Sequence, residues 1–477
     1  MIRATPFPRA LLRGTMFATL VVLGGCASFS KDAGFNSVES VAKDRLNKEL
    51  KWVKSDADAE NVQAIVQKLL ANPLTVDDAV QIALLNNRGL QATYAELGIA
   101  EADLVQAGRL RNPHLAYLNV NGGSETKIER ALTFDFMQLI TMPLAIRLER
   151  RRFEATQLRV AAEVLQVAVQ TRRAYYHAIS ARQTATYMED VKVSAAAGAE
   201  LGRRMASVGN WSKLAQAREQ VFYAEATAQL ARARQNTITQ REQLIRLMGL
   251  WGGDINFKLP GRLPDLPKAP NELTEIESIA LKQRLDIQAM KRDMEGLATS
   301  LGLTKATRFI NVLELGPAEV REGSAAVKRG YEISIELPIF SWGGAQVAKA
   351  EAIYMQAVNR AADVAINARS EVRESYADYS NAFERARHYR DEIVPLRKQI
   401  SDENMLRYNG MLISVFELLA DAREQVVSVN AYIEALRDYW LADAELQMAL
   451  IGKSAAGAAA RMGRSSLTTF GSTAAGH

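Results

Sequence analysis

Leu214-Ala215-Gln216-Ala217-Arg218-Glu219-Gln220 returns later in the chain as Leu419-Ala420-Asp421-Ala422-Arg423-Glu424-Gln425, six identities in seven at an offset of 205 residues. Two further landmarks recur in the same order. Met142-Pro143-Leu144 answers Leu337-Pro338-Ile339, and Leu247-Met248-Gly249 answers Leu450-Ile451-Gly452. Together they predict a duplicated unit with copies at 75–249 and 272–452. Between the copies, residues 260–270 hold four prolines in eleven positions. A linker over 250–271 is therefore expected to be extended, since proline fixes φ and lacks an N–H.

Within each copy the pattern predicts a helix, two strands, a long helix, a turn and a second helix. In the second copy Val347, Tyr354, Val358, Ala361, Ala365, Ala368, Val372, Tyr376, Tyr379 and Phe383 recur at steps of three, four or seven, a coiled-coil-like stripe whose alanines permit close approach. The first copy carries a weaker version through Phe153, Val160, Val164, Val167, Ala174, Ala178 and Ala181. Long helices are expected over 145–208 and 343–408, each on the order of 100 Å at 1.5 Å per residue. The shorter helices, 75–111 with 211–249 and 272–307 with 411–451, add up to about the same length, which suits a tube or a fibre. Pro395 falls inside the second long helix and should kink it.

The strands show a period of two. Gly330-Tyr331-Glu332-Ile333-Ser334-Ile335-Glu336-Leu337 puts Tyr331, Ile333, Ile335 and Leu337 on one face and Glu332, Ser334 and Glu336 on the other. Arg130–Phe136 alternates similarly. Their partners are expected at 114–121 and 309–316, across polar tips at Gly122–Glu125 and Gly316–Lys328. Such strands suit a half-buried soluble sheet, or a barrel with lipid outside and water inside. Four strands cannot close a barrel, for which about eight is the minimum, so a membrane-spanning sheet would need strands from other subunits.

The chain of 477 residues is 48% hydrophobic with a net charge of +5, which excludes a disordered protein. One cysteine excludes a disulfide framework and a multi-cysteine zinc site, and four scattered histidines give no ligand pair. Methionines are scattered, and Gly452-Lys453-Ser454 lacks the glycine and strand of a phosphate loop. No window after the first thirty residues is long and apolar enough for a transmembrane helix. Residues 1–25 read as a signal peptide: Arg3, Arg9 and Arg13, then the apolar run 16–23, then Gly24-Gly25. Leu23-Gly24-Gly25-Cys26 resembles the lipobox of bacterial lipoproteins, which implies acylation of Cys26 and, with Ala27 following, delivery to the outer membrane. A lipid-anchored lead is then expected over 26–74, and a disordered tail over 453–477.

This ordered set, with the junction Pro338-Ile339-Phe340-Ser341-Trp342-Gly343-Gly344, resembles the TolC-type outer-membrane efflux proteins over 75–452. The resemblance implies a mainly α fold with a small antiparallel β part, assembled as a trimer. A twelve-stranded outer-membrane barrel would continue as a periplasmic helical tunnel. It also implies an exit duct that docks on a periplasmic adaptor and an inner-membrane transporter, without catalysis and without a cofactor beyond the lipid on Cys26. Asp135, Glu332 and Glu336 would line the lumen. The family's gate at the periplasmic tip maps onto Tyr408 and Glu417. Ile413 stands where the family has an arginine, and the second acid is displaced by one position to Asp421. Arg147, Arg150, Arg151 and Arg152 would sit beside the membrane junction or pair between subunits rather than bind nucleic acid. The competing reading is a lipid-anchored periplasmic coiled-coil scaffold that does not span the membrane.

Overall fold

The computed structural model describes residues 28–453, apart from Ser124, Ile310 and Asn311. The signal peptide, Cys26 and nearly all of the tail lie outside these residues. In chain order the elements are α1 (Phe35–Leu46), α2 (Asp56–Leu70), α3 (Val76–Asn86), α4 (Arg88–Ala107), β1 (His114–Gly122), β2 (Glu125–Asp135), α5 (Phe136–Ser207) and α6 (Lys213–Met248). A 3-10 turn over Gly252–Ile255 precedes α7 (Ile276–Gln283), α8 (Leu285–Thr307), β3 (Leu313–Glu322), β4 (Lys328–Ile335) and α9 (Gly344–His388). A π-helical turn at Tyr389–Ile393 joins α9 to α10 (Val394–Asn409), and α11 (Val415–Ile451) closes the described chain.

Several boundaries differ from the sequence expectation. The first helix of each half is broken, at Asn87 and at Arg284. Both residues leave the helical region, with ψ of 117° and 124°, and their side chains reach the end of another helix. Asn87 Nδ2 donates to Leu247 O of α6 at 2.8 Å, and Arg284 Nη1 to Ala449 O of α11 at 3.4 Å. Each break thus supplies donors to carbonyls that a helix C-terminus leaves unsatisfied. The long helix α5 starts at Phe136 rather than 145, because Asp135 accepts the Gln138 N–H at 2.9 Å and caps it. Pro143 therefore lies inside α5, whereas Pro338 lies in the irregular stretch after β4, so these two prolines are not structural equivalents. The kink expected at Pro395 takes the form of the π turn directly before it, where the missing N–H interrupts the ladder.

The four strands form one antiparallel sheet in the order β1-β2-β3-β4. Gly316 was expected to open a polar tip, but it sits within β3, which runs on to Glu322. A Cβ there would collide with the Leu132 carbonyl of β2, so the glycine permits a close strand approach. Residues opposite one another share a face. One face gathers Leu115, Leu132, Phe134, Leu315, Tyr331 and Ile333; the other gathers Ala131, Thr133, Asp135, Glu314, Gly316 and Glu332.

The chain divides into two compact units. One comprises 28–38, Tyr94–Val160 and Ile287–Val364, and contains the sheet. Its helical part is held by buried Tyr94, Leu97, Val105 and Ala155, by the edge-on Phe35–Tyr94 contact at 4.9 Å, and by an Arg151–Glu154–Arg292–Glu295 ion network.

The other unit comprises Glu39–Thr93, Ala161–Asp286 and 365–453. Its core holds Val80, Leu84, Ile179, Leu244 and Phe383, and ring contacts run from Tyr175 through Tyr176, Trp440 and Tyr439 to Tyr379. The Pro-rich stretch is bound along these helices. Arg182 donates to Leu259 O at 2.6 Å, Trp440 Nε1 to Pro264 O at 3.0 Å, and Leu259, Leu263 and Leu266 are buried.

Candidate functional site

Two helix–turn–helix tips lie in the second unit, α5–α6 and α10–α11. At each, a serine caps the second helix. Ser212 Oγ accepts from Ala215 N at 3.1 Å, and Ser414 Oγ from Glu417 N at 3.4 Å. A left-handed residue precedes each serine by three positions: Gly209 with φ +79° and Met411 with φ +59°. Met411 is 93% exposed, so a non-glycine in this conformation sits at the outermost point of its turn. Trp211 stacks on Phe416 at 4.4 Å and ties the two tips together.

Tyr408 lies in the last turn of α10, Glu417 in the first turn of α11, and Asp421 one turn further. Glu417 is exposed, and its carboxylate accepts from the Ser414 hydroxyl at 3.3 Å. Asp421, by contrast, is only 8% exposed, and its Oδ2 has no hydrogen-bond partner. The two acids share a helix but not an environment.

The principal charged contact at this tip involves residues the sequence reading did not single out. Glu219 of α6 is 3% exposed and receives Arg423 Nη2 of α11 at 2.6 Å on Oε1. The Arg423 guanidinium also lies 4.7 Å over the Phe222 ring. A Cβ at Gly198 or Gly202 of α5 would lie 3.5 Å from the Glu219 side chain, an ordinary contact, and at Gly202 also 3.0 Å from the Trp211 ring, so the small residues here permit a close helix approach. The signal was present in the repeated heptapeptide, which contains both Glu219 and Arg423. It was obscured because the heptapeptides are 205 residues apart while the capping serines are 202 apart. The shift of about one helical turn gives identical residues different surroundings. Arg423 is tied to the partly buried pair, whereas its counterpart Arg218 is exposed; Glu424 reaches Arg397 at 3.1 Å on the surface.

In the sheet, the register puts Asp135 and Glu332 on the polar face, and Glu336 continues that alternation beyond β4, with its N–H reaching Val312 O at 3.5 Å. Asp135 also accepts from Arg111 at 3.4 Å. Glu314, which sequence reasoning omitted, joins this face and accepts from Thr133 Oγ1 at 3.1 Å. The opposite face, apolar beside the helices and joined by Arg130, Glu319 and Arg329 towards the tips, is largely open, with Tyr331 77% exposed. No helix among the described residues is long and apolar enough to cross a membrane, and none of their His, Cys, Asp and Glu side chains form a group of three suited to a metal.

No family model matches the chain, and no curated protein matches its sequence. Solved structures do. CusC, crystallised in work on folding and transmembrane channel formation, matches with a TM-score of 0.66 at 18% identity, over 79% of this chain and 92% of its own. The outer-membrane protein VceC of Vibrio cholerae matches with a TM-score of 0.66 at 17% identity, over 79% and 96%. The outer-membrane channel OprN extends the match to 90% of this chain and 97% of its own, with a TM-score of 0.66 at 16% identity. The chain has the fold of TolC-type outer-membrane channels.

Proposed function

We propose that the chain is the outer-membrane exit duct of a tripartite efflux system, acylated at Cys26 and built from two copies of one structural unit. Three chains contribute four strands each to a twelve-stranded barrel, and their helices continue it as a periplasmic tunnel. The duct conducts small molecules or ions passively, docks on a periplasmic adaptor and an inner-membrane transporter, and has no catalytic residue. Tyr408, Glu417 and Asp421 lie at the narrow tip, while Asp135, Glu332 and Glu336 face the barrel water.

The observation that carries this reading is the sheet. Among the described residues β1 pairs only with β2 on one side, and β4 only with β3, so both outer strands offer an open edge. Beside the helices one face is apolar and largely exposed, with Leu115, Leu315 and Ile333, while the other bears Asp135, Glu314 and Glu332; towards the hairpin tips Arg130, Glu319 and Arg329 join the first face. An open edge beside an exposed apolar face is a liability in water, and is resolved when strands close into a barrel within lipid. The test is whether the protein reconstituted in liposomes migrates as a trimer after cross-linking and shields its strands from soluble protease. A monomer cleaved throughout β1–β4 would reject the proposal.

A further inference from the structure

Where a helix hands the chain to the sheet, one local arrangement occurs twice. Five residues before β1, the Arg109 guanidinium lies 5.9 Å over the ring of Phe29. Five residues before β3, that of Arg308 lies 4.1 Å over the ring of Phe309. Both segments are tied to the start of a long helix. Gln138 in α5 donates to Arg109 O at 2.9 Å and accepts from Arg111 N at 2.8 Å. Gly343, just before α9, packs on Arg308 so closely that a Cβ would lie 2.7 Å from the Arg308 carbonyl oxygen. All these residues belong to one compact unit.

Both arginines are exposed, and among the described residues neither makes an ion pair. The neighbouring acids are engaged elsewhere: Asp135 with Arg111, and Glu351 with Lys305 at 2.7 Å. In the stretch between β4 and Gly343, which packs on Arg308, Phe340 is fully exposed and Ile339 and Trp342 largely so. An exposed guanidinium near an aromatic ring and lacking a carboxylate keeps its fork of donors free for the oxygens of a phosphodiester, which it can bind bidentately. Tryptophan and phenylalanine at such a boundary sit at headgroup level.

We propose that Arg109 and Arg308 form a headgroup-binding belt for anionic phospholipid in the leaflet facing the periplasm. The inference rests on the membrane-spanning reading above. The occupant follows from charge complementarity and from the exposed apolar residues between β4 and Gly343. A basic residue at an anionic surface gains about a fivefold preference, so two per chain should be measurable.

The test uses the full protein in bilayers and reads quenching of tryptophan fluorescence by brominated lipids, with Trp342→Phe identifying the signal from the belt. Brominated phosphatidylglycerol should out-compete brominated phosphatidylcholine by about fivefold or more at low salt, falling as salt screens the belt. Arg109→Gln/Arg308→Gln should cut the preference by about fivefold or more, and the Lys pair should keep most of it. Equal quenching by both lipids in the wild type overturns the belt while leaving the spanning sheet intact. An unchanged preference in the Gln pair, with quenching retained, overturns the choice of arginines. Absence of quenching by either lipid rejects the membrane-spanning reading and the belt with it.

Discussion

Arg423→Ala removes the cation that meets Glu219 at 2.6 Å between α6 and α11. Glu219 is 3% exposed and its second oxygen, Oε2, has no hydrogen-bond partner, so the variant leaves a buried carboxylate uncompensated. Breaking a buried pair from one side costs about 3–5 kcal/mol. The Arg423 side chain is one-third exposed, so water screens the pair and the lower end, about 3 kcal/mol, is expected. Glu219→Gln removes the charge that the first change strands. The double variant should therefore be more stable than the two single effects predict, with a coupling of about 1–2 kcal/mol. Thermal unfolding in detergent reads the stability, and the rate of proteolysis at the exposed Met411–Leu412 turn reads the local loosening. A loss below about 0.5 kcal/mol for Arg423→Ala, with the double variant simply additive, would refute the reasoning.

Gly343→Ala should impair assembly, since the residue has φ +70° and its new Cβ would meet Arg308 at 2.7 Å; strain of about 1–3 kcal/mol per such residue should lower the unfolding temperature visibly. Arg284, 1% exposed and bound to Asp286 at 2.8 Å and Glu371 at 2.7 Å, is a fully buried cation, and Arg284→Ala should cost about 3–5 kcal/mol by the same thermal assay. Burial, aided by Arg437 and Arg173, holds His177 below the ordinary imidazole value of 6.5. The unfolded chain then binds a proton that the folded chain refuses, so this residue's contribution to stability is lost as pH falls through that value. His177→Gln should flatten the decline in melting temperature between about pH 7.5 and 5.5, and an unchanged slope would exclude His177 as its source.

The sequence disclosed elements whose packing is periodic. β4 announced itself through Tyr331, Ile333 and Ile335 alternating with Glu332 and Ser334, and the long helices through alanine-rich stripes in which Ala174, Ala178, Ala368 and Val372 are indeed buried. It concealed whatever depends on a distant partner. Nothing around Gln283-Arg284-Leu285 resembles a helix stop, because the break there is shaped by contacts with Glu371 and the end of α11. Gly316-Pro317 has the composition of a turn, yet the glycine serves the Leu132 carbonyl across the strand pair. At the tip, Tyr408 and Glu417 were reached through the family resemblance. The Glu219–Arg423 pair was hidden by the one-turn shift between the repeated heptapeptide and the helix caps.

The central claim, a duct through the outer membrane, is tested most directly by single-channel conductance of the purified mature protein in a planar bilayer, for wild type and for the tip-loosened Arg423→Ala. The account predicts discrete current steps with a preference for cations, because acidic rings in a low-dielectric passage attract them, and larger steps in the variant. No steps from either protein, together with hairpins left open to soluble protease, would contradict it and return the chain to the role of a lipid-anchored scaffold.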